Sequence, residues 1–247
     1  MIILKNWYGR LGNNIIQLSN IIDIALLYKH NIIFKPTHPF FDLDIISKYF
    51  SKYDNEKILT NNDNFFYKPR NPYFKEISEI TDKEKEKLLQ EKSEILKDAF
   101  KIKDVDKLDE NHLVIYIRSG DVFKCNPPSY YIPPPLSYYT KYIDKGKYEK
   151  IIIVSEDNKN PVVNKLLELY DNSIWEINKL EKDIKILLGA ANIIQSVGTM
   201  VPSLMLLSDN IQICYTTDGE DLEDYYKVMK PWKYTNEQKE FMMTYQL

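Results

Sequence analysis

Apolar residues along this chain recur at two different periods. Ile2-Ile3-Leu4 is a short apolar run that reads as a strand. Ile15, Ile16, Leu18, Ile21, Ile22 and Leu26 then recur at helical spacing. Gly9 to Asn14 lies between them, so the chain opens as strand, glycine turn and helix. Ile32-Ile33-Phe34 reads as a second strand, stopped by Pro36. A region rich in Phe, Tyr, Asn and Lys runs on to about Phe74 with little pattern. From Glu79 to Lys103, charges alternate with Leu88, Leu89, Ile95 and Leu96, which predicts a surface helix with a solvated charged face.

Asp104 to Asn111 is a polar connection with no Gly/Ser linker. Beyond it, strands and helices alternate. Strands are predicted at Val114–Ile117, Ile151–Val154, Ile174–Ile177, Ile193–Ile194 and Ile211–Tyr215. Helices are predicted at Val162–Tyr170, Asp183–Ala191 and Val201–Leu207. Short βα units of this kind build a parallel, doubly wound sheet. Right-handed crossovers would set every strand's carboxyl end on one rim. Arg118, Asp121, Glu156, Asp157, Ser196 and Thr199 would share that rim. The expected class is α/β, with two Rossmann-like lobes divided near residue 110.

Composition narrows the function. The chain has 247 residues, enough for one large domain or two small ones. A net charge of -3 provides no basic field for nucleic acid. Cys125 and Cys214 are not a disulfide framework and read as free thiols of a reducing compartment. Met1-Ile2-Ile3-Leu4 is ended by Lys5 and Asn6, too short for a signal peptide. No stretch approaches the ~20 apolar residues that cross a bilayer. The expectation is a cytoplasmic protein. Its Ile, Lys, Asn and Tyr usage points to an AT-rich genome, bacterial or viral.

Two segments carry chemistry. In Val114-Ile115-Tyr116-Ile117-Arg118-Ser119-Gly120-Asp121 a buried strand ends in arginine, glycine and aspartate. Ligands of open α/β sheets bind at that end of a strand. Arginine carries a fixed fork of donors suited to phosphate, and glycine lets a backbone approach a ligand. The plain alternative is a surface turn with an Arg118–Asp121 pair. Gly9-Arg10-Leu11-Gly12-Asn13-Asn14 is a glycine turn at a helix start, where backbone N–H groups can hold an anion. Many structural turns look the same.

Together these segments resemble the fucosyltransferase superfamily, especially the α-1,2-fucosyltransferase-like glycosyltransferases. That family opens with a G-R-L-G-N-Q-like turn, here Gly9 to Asn14 with Asn14 where glutamine is usual. It carries an H-x-R-x-G-D-like motif, here Tyr116 to Asp121 with Tyr116 where histidine is usual. Ile151 to Asp157 is similar to its strand ending in S-D-D, and Ile193 to Met200 to its strand ending in S-x-G-T-F. The resemblance implies a GT-B-like fold. Residues 1–110 would form an acceptor-side lobe and 111–247 a nucleotide-sugar-binding lobe. It implies transfer of a deoxyhexose, L-fucose from GDP-fucose, to a glycan hydroxyl with inversion. A UDP- or dTDP-sugar donor, or glycan binding without turnover, are the alternatives.

The resemblance places Arg118 on the β-phosphate of the donor, with Asn13 and Arg10 also facing the diphosphate beside Gly12. Ser196, Gly198 and Thr199 would offer hydroxyl and backbone donors, or simply cap a helix. Glu156 and Asp157, beyond Gly120, would accept from ribose or base, or stand as surface carboxylates. Asp121 is the nearest candidate base for the acceptor hydroxyl; it can equally orient Arg118. Departure of the diphosphate needs charge stabilisation from a metal or from fixed donors. Asp42-Leu43-Asp44 and Asp104-Val105-Asp106 have the spacing of a metal motif, but neither follows a clear buried strand. His30, His38 and His112 show no ligand spacing. Metal-free transfer with no cofactor beyond the sugar nucleotide is therefore expected. Cys125 to Tyr139 is proline-rich and reads as an extended loop, with Tyr130 and Tyr131 suited to stacking on an acceptor sugar. A ligand for another protein and a rigid connection packed on the core are the other readings. Trp7, Trp175 and Trp232 read as core or interface residues.

Overall fold

A computed structural model describes residues 1–55, 57–60, 65–66 and 80–247. The chain divides into two compact units. One comprises Met1–Asp104 with Pro202–Leu207, the other Val105–Val201 with Ser208–Leu247. Both are built on parallel sheets, so the predicted α/β class is what the structure contains.

The first unit holds β1 (Ile2–Leu4), α1 (Leu11–Tyr28), β2 (Ile32–Phe34), α2 (Leu43–Phe50), β3 (Leu59–Thr60) and α3 (Asp82–Ala99). Its strands lie in the order β2-β1-β3, with Ile2 opposite both Ile32 and Leu59. Helix α3 starts at a capping box. Thr81 Oγ1 accepts from Glu84 N at 3.3 Å, and Glu84 Oε2 accepts from Thr81 N at 2.8 Å. Glu79, the expected start of that helix, lies outside the described residues. So does much of the aromatic stretch ending at Phe74. Its described part contains α2 and β3, which no apolar period had marked. Asp42 caps α2, its Oδ1 accepting from Asp44 N at 3.1 Å. The first Asp-x-Asp pair is thus a helix cap.

Helix α1 departs from a simple amphipathic pattern. Its apolar face is buried as expected, but Asn14, Gln17, Asn20 and Asp23, every third residue, are buried too. Each has a polar partner, as buried polar groups require. Asn20 Nδ2 donates to Phe65 O at 2.7 Å, and Asp23 meets Lys92 Nζ of α3 at 2.9 Å.

The second unit holds β4 (His112–Ile117), α4 (Leu136–Lys145), β5 (Lys150–Ser155), α5 (Pro161–Leu169), β6 (Ser173–Trp175), α6 (Leu180–Gly189), β7 (Asn192–Gln195), β8 (Ile213–Tyr215), α8 (Glu223–Met229) and α9 (Asn236–Thr244). Helix α7 (Met200–Leu204) follows β7 and carries the chain into the first unit. All five strands are parallel, in the order β6-β5-β4-β7-β8. Central β4 is covered on both faces, hence its nearly unbroken apolar sequence. The order reverses between β4 and β7, which is the switch point where open α/β sheets open a crevice for ligand. The proline-rich segment is extended only as far as Pro135. Leu136 onward is helical, so Tyr138 and Tyr139 are buried helix residues.

Candidate functional site at the switch point

The pairing register aligns three strand ends. Ile117 of β4 faces Ser155 of β5, and Tyr116 faces Gln195 of β7. The residues after them therefore emerge together: Arg118 to Asp121, Glu156 and Asp157, and Ser196 to Thr199. Tyr138 fastens α4 beneath this edge, its hydroxyl donating at 3.0 Å to both Gln195 O and Tyr215 O.

Arg118 has a largely buried side chain, 13% exposed. Its Nε and Nη2 donate to Asp121 Oδ1 at 3.2 and 2.9 Å, and Nη2 also reaches Oδ2 at 2.9 Å. The Tyr131 ring covers the guanidinium, with its centroid 5.3 Å from Cζ. The remaining nitrogen, Nη1, faces the β7–α7 turn. A Cβ built on Gly198 would lie 3.7 Å from it. Gly198 has φ +111°, a conformation that suits glycine. The turn thus presents bare backbone to the arginine.

Asp157 takes no position open to a ligand through Oδ1. That atom accepts the Ser119 hydroxyl, Gly120 N at 3.2 Å and Lys159 N at 3.2 Å, while Oδ2 pairs with Lys159 Nζ at 2.9 Å. Burial works to raise its pKa, but the Ser119 hydroxyl, Lys159 and the two backbone N–H groups outweigh it and hold the carboxyl down to about 2. Asn160 completes the clamp. Its N donates to Ser119 Oγ at 3.1 Å, its Nδ2 donates to Arg118 O at 3.1 Å, and its Oδ1 caps α5 at Val162 N. The β5–α5 turn therefore holds the backbone that carries Arg118. Gly120, at φ +60°, sits directly against the Glu156 carboxylate, which would have to swing aside for a Cβ. Glu156 itself is exposed.

Ser196 is buried, its N donating to Tyr116 O at 2.9 Å, with its hydroxyl beside that of Tyr139. Thr199 is half-buried just ahead of α7. The proline-rich loop is held from the C-terminal segment. Trp232 N donates to Ser129 O at 3.0 Å, Trp232 Nε1 to Val122 O at 2.7 Å and Tyr225 Oη to Pro133 O at 2.6 Å. Pro133 to Pro135 are buried, Tyr130 is 73% exposed, and Tyr130 packs on Tyr131 at 4.7 Å between ring centroids.

In the first unit, the β1–α1 turn carries Arg10, Gly12 and Asn13. Arg10 is exposed at the N-cap of α1, Gly12 is buried, and the Asn13 side chain folds over Gly9 at φ +70°. Among the described residues, no three His, Cys, Asp or Glu side chains converge as a metal-holding group. No described helix is long and apolar enough to cross a membrane. Cys125 and Cys214 are free thiols.

No family model and no curated protein matches the sequence. Solved structures do match. In fold, this chain is similar to POFUT1. The superposition on POFUT1 in complex with GDP has a TM-score of 0.50 at 10% identity, covering 88% of this chain and 98% of that one. NodZ alpha-1,6-fucosyltransferase soaked with GDP-fucose also matches, at 10% identity, over 84% of this chain and 92% of that one. That superposition has a TM-score of 0.41. The likeness to POFUT1 concerns the course of the backbone.

Sequence reasoning passed over Ser119, Asn160, Lys159 and the contact of Tyr131 with Arg118. Asn160-Pro161 was the readable signal, since an N-cap residue followed by proline marks a helix start.

Proposed function

We propose that this protein is a fucosyltransferase-like glycosyltransferase that takes GDP-fucose as donor and a glycan hydroxyl as acceptor. The observation that carries the reading is the pairing of Arg118 with the bare Gly198 turn at the switch point. A buried guanidinium over backbone donors is a receptor for an anionic, bidentate group such as a diphosphate. The fold likeness to POFUT1, which in that structure holds GDP, supports the nucleotide, and the sequence resemblance supports the sugar.

In the proposed reaction the bond from sugar C1 to the β-phosphate oxygen breaks and a bond from C1 to the acceptor oxygen forms, with inversion. GDP leaves with its new charge on the β-phosphate, stabilised by Arg118 Nη1 and the N–H groups of Gly198 and Thr199. The acceptor proton passes to a base or to solvent. Asp121 serves to hold the Arg118 fork rather than as that base, because both its oxygens face the guanidinium. Asp157 positions the Arg118 backbone, and Glu156 is the carboxylate left to meet ribose or base. Tyr131 belongs with Arg118 on the donor side, and exposed Tyr130 with the acceptor. The first unit, which carries Arg10, Gly12 and Asn13, is the acceptor-side lobe of this reading, a GT-B-type enzyme of the cytoplasm. No metal is required.

Thermal shift with GDP-, UDP- and dTDP-sugars, in excess chelator, tests this. Selective stabilisation by GDP and GDP-fucose is expected. Stabilisation only by another nucleotide, or only after Mn²⁺ or Mg²⁺ is restored, overturns the donor or the metal-free assignment respectively.

A further inference from the structure

The β1–α1 turn is held by side chains rather than by regular secondary structure. Tyr8 N donates to Gln17 Oε1 at 2.7 Å, and Tyr8 O accepts from Asn14 Nδ2 at 3.1 Å. Both backbone groups of Tyr8 are thus satisfied by α1. For Asn14 Nδ2 to face Tyr8, its Oδ1 must face the other way. There it meets His38 Nε2 at 3.3 Å. His38 Nδ1 in turn accepts from Phe40 N at 3.1 Å. An Nδ1 that accepts leaves the proton on Nε2, so His38 is the neutral tautomer that donates to Asn14. His38 is 5% exposed, with its ring edge-on to Trp7 at 4.8 Å and Lys101 Nζ on its carbonyl at 3.1 Å. Burial and the Lys101 charge keep it neutral, with a pKa lowered to about 4.

We infer that His38 is a positioning residue, which sets the Asn14 amide and through it the turn that presents Gly9, Arg10 and Asn13. The part this turn plays in donor binding rests on the function proposed above; the positioning itself does not. Neither the spacing of the histidines nor the turn motif pointed to it, because His38 lies 24 residues from Asn14.

Two substitutions separate the two hydrogen bonds of the ring. His38→Gln places an amide Nε2 where the imidazole donor stood and keeps the bond to Asn14. His38→Asn keeps a polar partner for Phe40 N but is too short to reach Asn14. Amide hydrogen exchange at Tyr8 and the donor KM are measured in both, beside melting temperature. The inference expects faster Tyr8 exchange in His38→Asn, wild-type exchange in His38→Gln, and a donor KM raised about fivefold in His38→Asn alone at similar kcat, the loss of roughly one hydrogen bond. Equal Tyr8 exchange in the two variants overturns it, whatever their melting temperatures. So does wild-type exchange in both. If the wild-type protein binds no GDP-sugar, the function falls, while the exchange comparison still decides the positioning. If exchange separates the variants and donor KM does not, the turn is positioned by His38 but plays no part in donor binding.

Discussion

Asp157 accepts the hydroxyl of Ser119, which lies 38 residues earlier in the chain and immediately follows Arg118. A carboxylate at one strand end thereby holds the backbone of the next. Asp157→Ala leaves the Ser119 hydroxyl and two N–H groups without their acceptor, and should destabilise the fold by about 2–3 kcal/mol. Ser119→Ala, which leaves the carboxylate its backbone donors, should cost about 1 kcal/mol. Both should weaken GDP binding in calorimetry, because Arg118 is displaced. Full GDP affinity in a destabilised Asp157→Ala protein would show that the clamp serves the fold alone.

The two glycines of the rim differ in what replacement does. At Gly120 a side chain meets only the exposed Glu156 carboxylate, which can swing aside, so Gly120→Ala should cost about 1 kcal/mol for its left-handed backbone. At Gly198 there is room for Cβ, so Gly198→Ala pays mainly for its φ of +111° and narrows the approach to Arg118 Nη1. Urea melts and GDP titrations are expected to separate them. Gly198→Ala should be the less stable protein and should also lose the more GDP affinity, while Gly120→Ala should stay closer to wild type in both.

The two neighbouring tyrosines should also separate. Tyr131 stacks over the guanidinium, and Tyr130 lies outside it in solvent. Tyr131→Ala should lower GDP affinity by about 0.5–1 kcal/mol, the worth of a cation–π contact, while Tyr130→Ala leaves it unchanged and raises acceptor KM. Arg118→Ala should lose about 1.5–3 kcal/mol of nucleotide binding, with little rescue by lysine, which lacks the fork. Unaltered calorimetric affinity in Arg118→Ala would remove the diphosphate assignment.

His38 predicts an acid response. Its folded pKa lies near 4, below the unfolded 6.5. Between those values the unfolded chain binds the extra proton, so stability is present above pH 6.5 and lost as pH falls toward 4. The loss should be on the order of 3 kcal/mol by pH 4. His30, whose pKa is lowered by burial and by the N-terminal ammonium, contributes in the same direction. Chemical melts of wild type and His38→Gln across this range isolate the share of His38. Parallel stability curves for the two proteins would contradict it.

The second unit was the more legible in sequence. A central parallel strand is buried on both faces, so β4, β5 and β7 appear as unbroken apolar runs with their functional residues just beyond. Their parallel direction follows from the βα alternation, but their order on the sheet, which reverses beside β4, does not. The clamp was not legible, because Ser119 and Asn160 are ordinary polar residues until the register brings them together. Helix α4 was hidden by the prolines before it. In the first unit, the 3.6-residue period located α1 but missed its buried polar residues. Burial of Asn14, Gln17, Asn20 and Asp23 depends on partners distant in sequence, which periodicity cannot supply.

The crossing of the chain between its two units sets an order of assembly during synthesis. Ser93 of α3 donates to Leu206 O at 2.7 Å, and residues 202–207 belong to the first unit. The first unit is therefore incomplete on a ribosome that has translated only its first hundred codons. Val122, beside Arg118, waits for Trp232, a separation of 110 residues. Loops of that length close slowly. The nascent chain would hold two unfinished units until its final quarter emerges, and both would then finish almost together.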